Sequence, residues 1–183
     1  MTLLKIALMG RPVLRRKALP VEDPADPAVA ELARDMIETM EDAGGVGLAG
    51  PQIHVDRRII VFRAPAERLT AGEDPPPEGV TVLVNPVVEP LDDTIALGLE
   101  GCLSIPGLRG LVPRHDRIRY SGVGLDGRRI EREATGFHAR VVQHEVDHLD
   151  GILYLDRMDG METLVFDSEL HHLLEKEEPD DDD

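Results

Sequence analysis

The sequence predicts an α+β domain in which antiparallel or mixed β-sheets pack around a central helix, with a further helix near each end of the chain. Three observations carry this. Helix-periodic segments lie toward the two ends, strand-like runs are grouped between them instead of alternating with them, and a hairpin signal falls in the middle. At 183 residues the chain suits a single domain with one sizeable core, residues 1–168, followed at 169–183 by the acidic end of a C-terminal helix and its tail.

Taken in order, Asp26 caps a helix that Pro27 begins. Val29, Leu32, Ala33, Met36, Ile37 and Met40 recur at helical spacing until Gly44 and Gly45 stop it. Residues 58–62, reading RIIVF, and 81–84 are strand-like, and the Pro- and Gly-rich stretch 72–79 between them reads as an exposed loop. Segments 117–125 and 128–134 flank Asp126-Gly127, a two-residue turn signal for an antiparallel hairpin. Residues 137–149 then read as a helix ended by Gly151, and a last helix is expected over about 162–177.

Composition excludes several function classes. Aromatic residues make up 3% and Trp is absent, so the core relies on Leu, Val, Ile and Met, and base-stacking platforms are not expected. The net charge is −16, of which eight acids against one Lys in 169–183 supply −7. Such a chain gains nothing from counterion release, so direct nucleic-acid binding is not expected. A lone Cys excludes an internal disulfide framework and leaves the thiol as a buried hydrophobe, a nucleophile or a metal ligand. The opening residues lack a cleavable leader pattern and no stretch approaches membrane-spanning length, so a soluble, cytoplasmic protein without membrane contact is expected.

The strongest chemical signal is His144-Glu145-Val146-Asp147-His148, an HExxH pattern inside an expected helix. Residues four apart share a helix face, so two imidazoles can reach one cation while the neighbouring carboxylate stands beside it. Such sites usually take a third protein ligand and leave a position for water. Cys102 and Glu169 compete for that third place. Cys102 is favoured as a soft, strong donor with the flexible Gly101 beside it.

Three segments, GVGLAGPQ at 45–52, EGCLS at 100–104 and QHEVDHLDG at 143–151, resemble the three motifs of peptide deformylase in the family's order and approximate spacing. Residues 10–15 and 109–114 also resemble family segments. The resemblance implies a catalytic domain that hydrolyses the formyl group from the N-terminal formylmethionine of newly made polypeptides and releases formate. It implies Cys102, His144 and His148 as ligands of one divalent ion, with Fe²⁺ as the cellular metal and Zn²⁺, Ni²⁺ or Co²⁺ as substitutes. It also implies transient proximity to the ribosome, and a monomer is expected.

On that reading, a water held by the ion has its pKa lowered and supplies the hydroxide that attacks the formyl carbon. Glu145 takes the water's proton and returns it to the departing amine. The resemblance assigns the Gln52 side chain and the Leu103 backbone N–H to the developing oxyanion, and the backbone of Gly45, Val46 and Gly47 to pairing with the substrate main chain. Phe137 and Val141 share the helix face of His144 and His148, so they are candidates both for a methionine pocket and for plain core. Arg109 and Arg140 either contact substrate or pair with acids such as Glu100.

Three departures from the family pattern stand out: Gly50 where Ala is common, His54 where Gly is common, and the acidic C-terminus, which RNA phosphates would repel. Ribosome docking through residues 169–183 is therefore not expected. His171 and His172, adjacent on a helix, are expected to point different ways without forming a second metal site, and His115 and His138 to be surface or structural. Two rival readings remain: a zinc endopeptidase using Glu169 as third ligand, and a structural metal site in a binding module.

Overall fold

The computed structural model describes residues 2–69 and 79–174. Helix α1 (Pro27–Asp42) starts where the sequence says it should, with the Asp26 carboxylate accepting from the Ala28 N–H, and it stops before Gly44, whose φ is 67°. Strands β1 (Gly47–Ala49), β2 (Ile59–Phe62) and β3 (Thr81–Pro90) follow. Then come β4 (Ile95–Cys102), β5 (Ile105–His115), β6 (Arg117–Val123), β7 (Arg129–Thr135), α2 (Gly136–Leu149), β8 (Val165–Phe166) and α3 (Leu170–Leu174). The expected α+β class is what forms.

Two sheets carry the strands, one of five in the order β1-β2-β3-β6-β7 and one of three in the order β4-β5-β8, with every adjacent pair antiparallel. The period of two in β2 explains the layering. Ile59 and Val61 face Ala33, Met36 and Met40 of α1, whereas Ile60 and Phe62 face Ala139, Val142 and Leu149 of α2. All four β2 side chains are fully buried, so the five-stranded sheet is covered on both faces at that point and α2 becomes a central helix. Truncating one of them to Ala would cost about 2–5 kcal/mol. A third cluster, Ala7, Leu14, Ile105, Val112, Leu153 and Tyr154, joins the N-terminal segment to the small sheet.

Several expectations need correcting. The strand at 81–84 runs on to Pro90 through an irregularity between Val84 and Val87, where Asn85 (φ 51°) exchanges two hydrogen bonds with the backbone of Val21. The hairpin is wider than two residues: Val123 pairs with Arg129, and the connection is closed by the Gly124 N–H to the Arg128 carbonyl, with Gly127 at φ 76°. The last helix does not begin near 162. Val165 and Phe166 pair instead with Arg109 and Leu108 of β5, and the helix starts only at Leu170. A sheet edge in need of partners overrides helical spacing here. The expected loop at 72–79 lies outside the described residues apart from Gly79, as do the positions beyond 174.

Candidate metal centre and active site

Cys102 closes β4, where the register shifts after Gly101 and the chain turns through Leu103 and Ser104 into β5. His144 and His148 lie one turn apart on α2 with ring centroids 5.0 Å apart. The sheet brings the thiol to the helix: Cys102 Sγ is 3.2 Å from His148 Nε2, and one donor atom from each of the three residues falls within 4.8 Å of the others. One soft sulfur and two imidazoles converging at that spacing fit a four-coordinate site with three protein ligands and one open position. Burial pushes the Cys102 thiol up, but the charge of His148 and hydrogen bonds from His144 and His148 outweigh it and hold the group well below its usual value, so the metal-binding thiolate is favoured.

Glu169 is not part of this cluster. It is exposed and lies 3.8 Å from His172, so the rival with Glu169 as third ligand loses its geometry. Among the described residues no second cluster of potential ligands forms. The rings of His171 and His172 lie together, with centroids 3.9 Å apart, which corrects the expectation that they diverge. His138 is a core residue whose ring meets the Tyr120 hydroxyl at 3.2 Å.

Glu145 sits directly beside the donors. Its Oε2 is buried without a hydrogen-bond partner, and burial raises its carboxyl to about 7, against the opposing charges of His144 and His148. A group poised there can both accept and return a proton near neutral pH. Gly47 leaves the space for it, because a Cβ on Gly47 would lie 2.5 Å from Glu145 Cδ. Gln52 is buried, at 1% exposed. Its Oε1 accepts from the Ala49 N–H at 2.8 Å, and this fixes Nε2 toward Ser104 Oγ (3.2 Å) and Cys102 Sγ (3.4 Å).

A cavity of about 470 Å³ runs from this cluster to the surface. Gly45, Val46 and Gly47 line one wall next to β1, the edge strand of the large sheet, whose free side can accept an added strand. Gly101, Cys102 and Leu103 line another, and Phe137, Arg140 and Val141 line a third together with His144 and Glu145. Arg109 stands at the rim and pairs with Asp167 at 2.5 Å. Arg140 is held by Glu100 Oε1 at 2.9 Å and by the carbonyls of Ala96, Gly98 and Val112. Gly98 makes room for that guanidinium, since a Cβ there would lie 2.6 Å from its Cζ. A Cβ on Gly101, by contrast, would meet only ordinary 3.5 Å contacts.

The sequence pointed to Glu100 only as a partner for Arg109 or Arg140, the second of which it meets, and its place behind the ligands was missed. The Glu100 carboxylate lies 2.8 Å from His144 Nδ1 and is gripped on both oxygens by Arg114. Burial raises Glu100, yet the His144 and Arg114 hydrogen bonds prevail and hold it well below the carboxylate range. Ser104 was also missed. The available signals were the fixed neighbours of the motifs themselves: Glu100 two residues before the Cys, Ser104 two after it, and Asp147 one turn along from His144.

The chain is similar to known proteins over most of its length. The family profile described as polypeptide deformylase matches residues 3–163. The chain is 56% identical over 153 residues to peptide deformylase 1 of Bordetella pertussis, covering 84% of this chain and 86% of the relative. The structure matches a peptide deformylase from Thermotoga maritima with a TM-score of 0.77 and 34% identity, covering 87% of this chain and all of that one. It also matches a Met-Ala-Ser-bound class I type b peptide deformylase from Acinetobacter baumannii with a TM-score of 0.76 and 34% identity, covering 86% and 99% respectively.

Proposed function

The chain belongs to the polypeptide deformylase family, and from that premise we propose how its residues divide the work. The enzyme is a hydrolase that removes the N-formyl group from newly made polypeptides. The observation that carries the residue assignment is the convergence of Cys102, His144 and His148 with Glu145 beside them at one end of one cavity.

Cys102, His144 and His148 hold one divalent ion. When bound there, such an ion supplies Lewis acidity that acidifies a water and polarises the formyl oxygen. Glu145, raised toward 7 and free at Oε2, accepts the proton of the attacking water and delivers it to the amide nitrogen as the C–N bond breaks, leaving formate and a free amine. Gln52 Nε2 and the Leu103 N–H donate to the oxygen that gains charge, the first aimed by Ala49 and Ser104 and the second by its neighbour Cys102. The backbone of Gly45 to Gly47 aligns the peptide as an added strand, and Phe137 and Val141 take the methionine side chain. Arg109 closes the rim, and Arg140 shapes the wall through Glu100 and Gly98.

Fe²⁺ is the metal in the cell, the protein acts as a cytoplasmic monomer of one catalytic domain, and any approach to the ribosome does not use residues 169–183. The Cys/His/His donor set supports a transition-metal ion, the family resemblance points to Fe²⁺ among these, and the negative charge of the tail supports the last point. No helix of the described residues is long and apolar enough to cross a membrane. Formate release from formyl-Met-Ala-Ser by protein purified anaerobically with Fe²⁺, and none from Cys102→Ala or Glu145→Ala, is the expected result. Cleavage of internal peptide bonds that survives Cys102→Ala would overturn the assignment.

A further inference from the structure

We propose that Arg114, Asp147 and Arg157 are positioning residues that, through Glu100, fix the orientation of the His144 imidazole and thereby the affinity of the metal site. The inference rests on the reading of Cys102, His144 and His148 as ligands.

The geometry is a closed ring. His144 Nδ1 meets Glu100 Oε2 at 2.8 Å. Glu100 is held by Arg114 at both oxygens, Nε to Oε1 at 2.9 Å and Nη2 to Oε2 at 3.0 Å, so the carboxylate cannot turn about its own axis. Arg114 Nη1 then donates to Asp147 Oδ2, and Asp147 lies three residues after His144 on the same helix. The ring thus leaves α2 at one residue, crosses β4 and β5, and returns to α2 one turn later. Asp147 is steadied from outside by Arg157, with Nε at 3.1 Å and Nη2 at 2.7 Å. The Arg114 and Glu100 side chains are each 4% exposed, whereas Arg157 is 45% exposed, so the network runs from solvent to the ligand.

A carboxylate has no proton to give, so the bond at Nδ1 makes that nitrogen the donor and leaves Nε2 as the lone pair. The other imidazole lacks this support, since His148 Nδ1 is buried with no hydrogen-bond partner. His144 is thus held at Nδ1 by a carboxylate, whereas His148 has its contact at Nε2, with Cys102 Sγ at 3.2 Å. A purely structural ion network would have no reason to terminate on one of the two ligand rings.

The test uses the full chain loaded anaerobically with Co²⁺. Its dissociation constant is read by chelator competition, its visible spectrum is recorded, and kcat and KM are measured on formyl-Met-Ala-Ser at saturating Co²⁺. Arg114→Lys and Asp147→Asn are expected to weaken Co²⁺ binding roughly 10–100-fold, with a shifted spectrum and an unchanged KM. Arg157→Met, one contact further out, is expected to weaken it roughly three- to tenfold. Arg119→Met, which breaks the exposed pair with Glu133 on β6 and β7, is expected to leave it unchanged. Should Arg114→Lys not fold, the isosteric Asp147→Asn and the half-exposed Arg157→Met decide. Affinities within about twofold of the parent for both would overturn the proposal, as would an equal loss in Arg119→Met. A parent that binds no Co²⁺ would remove the ligand reading itself, and the proposal with it.

Discussion

Gly47 and Glu145 share one space: the carboxylate of Glu145 lies where the first carbon of any other side chain at position 47 would have to go. The second Gly of the GVGLAGPQ segment is thus tied to the Glu of HExxH, 98 positions away in sequence, by simple exclusion. Gly47→Ala is expected to displace the carboxylate while leaving the three ligands in place. Metal content should stay near that of the parent while kcat for formate release falls by about 100-fold or more, the scale of losing a positioned proton carrier. Retained activity would mean that the strand yields and not the carboxylate.

Cys102 and Glu169 competed on paper to be the third ligand, with Cys102 favoured, and the fold brings Cys102 to the two imidazoles. Cys102→Ala is expected to lower bound metal to a small fraction of the parent's after gel filtration. Glu169→Ala, which removes only an exposed contact with Ser168 and His172, should leave metal and formate release unchanged. Metal assay of the two variants side by side checks this, and the reverse pattern would restore the endopeptidase reading.

The chemistry was more legible than the fold's connections. Local rules sufficed for α1, where cap, proline and apolar spacing agree, and for α2, whose ligands declare its face. β4 and β5 were not delimited because their alternation is broken by Gly98, Gly101, Gly107, Gly110 and Pro113, and the reasons lie in other elements. Gly98 admits the Arg140 guanidinium, and Gly110 faces Met158, whose Sδ would lie 2.7 Å from an added Cβ. The last helix was overextended because helical spacing cannot register that Leu108 and Arg109 lack a partner strand. The ring behind His144 was invisible for the same reason: it is assembled by strand pairing, and no local pattern encodes it.

Gly50 is tightly enclosed: a Cβ there would lie 2.5 Å from the Arg57 carbonyl oxygen and 2.9 Å from that of Val55, both backbone atoms with little freedom to retreat. Gly50→Ala is therefore expected to destabilise by about 1–3 kcal/mol, a fall in Tm of several degrees for a chain of this size. His54 adopts the left-handed conformation (φ 62°) at the end of the same turn, a region that favours glycine. His54→Gly removes a side-chain strain of roughly 1–2 kcal/mol and should not lower Tm. Thermal melts of the two variants test the pair of expectations, and a Gly50→Ala protein as stable as the parent would show that the 55–57 backbone moves aside.

Burial of Glu145 also has a signature in stability. Its carboxyl is raised from 4.5 to about 7 by desolvation in the folded, metal-free protein. Below pH 4.5 both folded and unfolded chains carry the proton, and the group contributes nothing. Between 4.5 and 7 the unfolded chain releases the proton while the folded chain keeps it, so the unfolded state gains. Above 7 the cost is complete, and a shift of this size corresponds to about 3 kcal/mol. Glu145→Gln cannot titrate, so the metal-free parent should lose stability relative to this variant as pH rises from about 5 to 8. Urea midpoints of the two proteins across that range measure the difference directly. A gap that stayed constant with pH would mean that the carboxylate is solvated or paired in the folded state, and that Glu145 is not the poised proton carrier its burial implies.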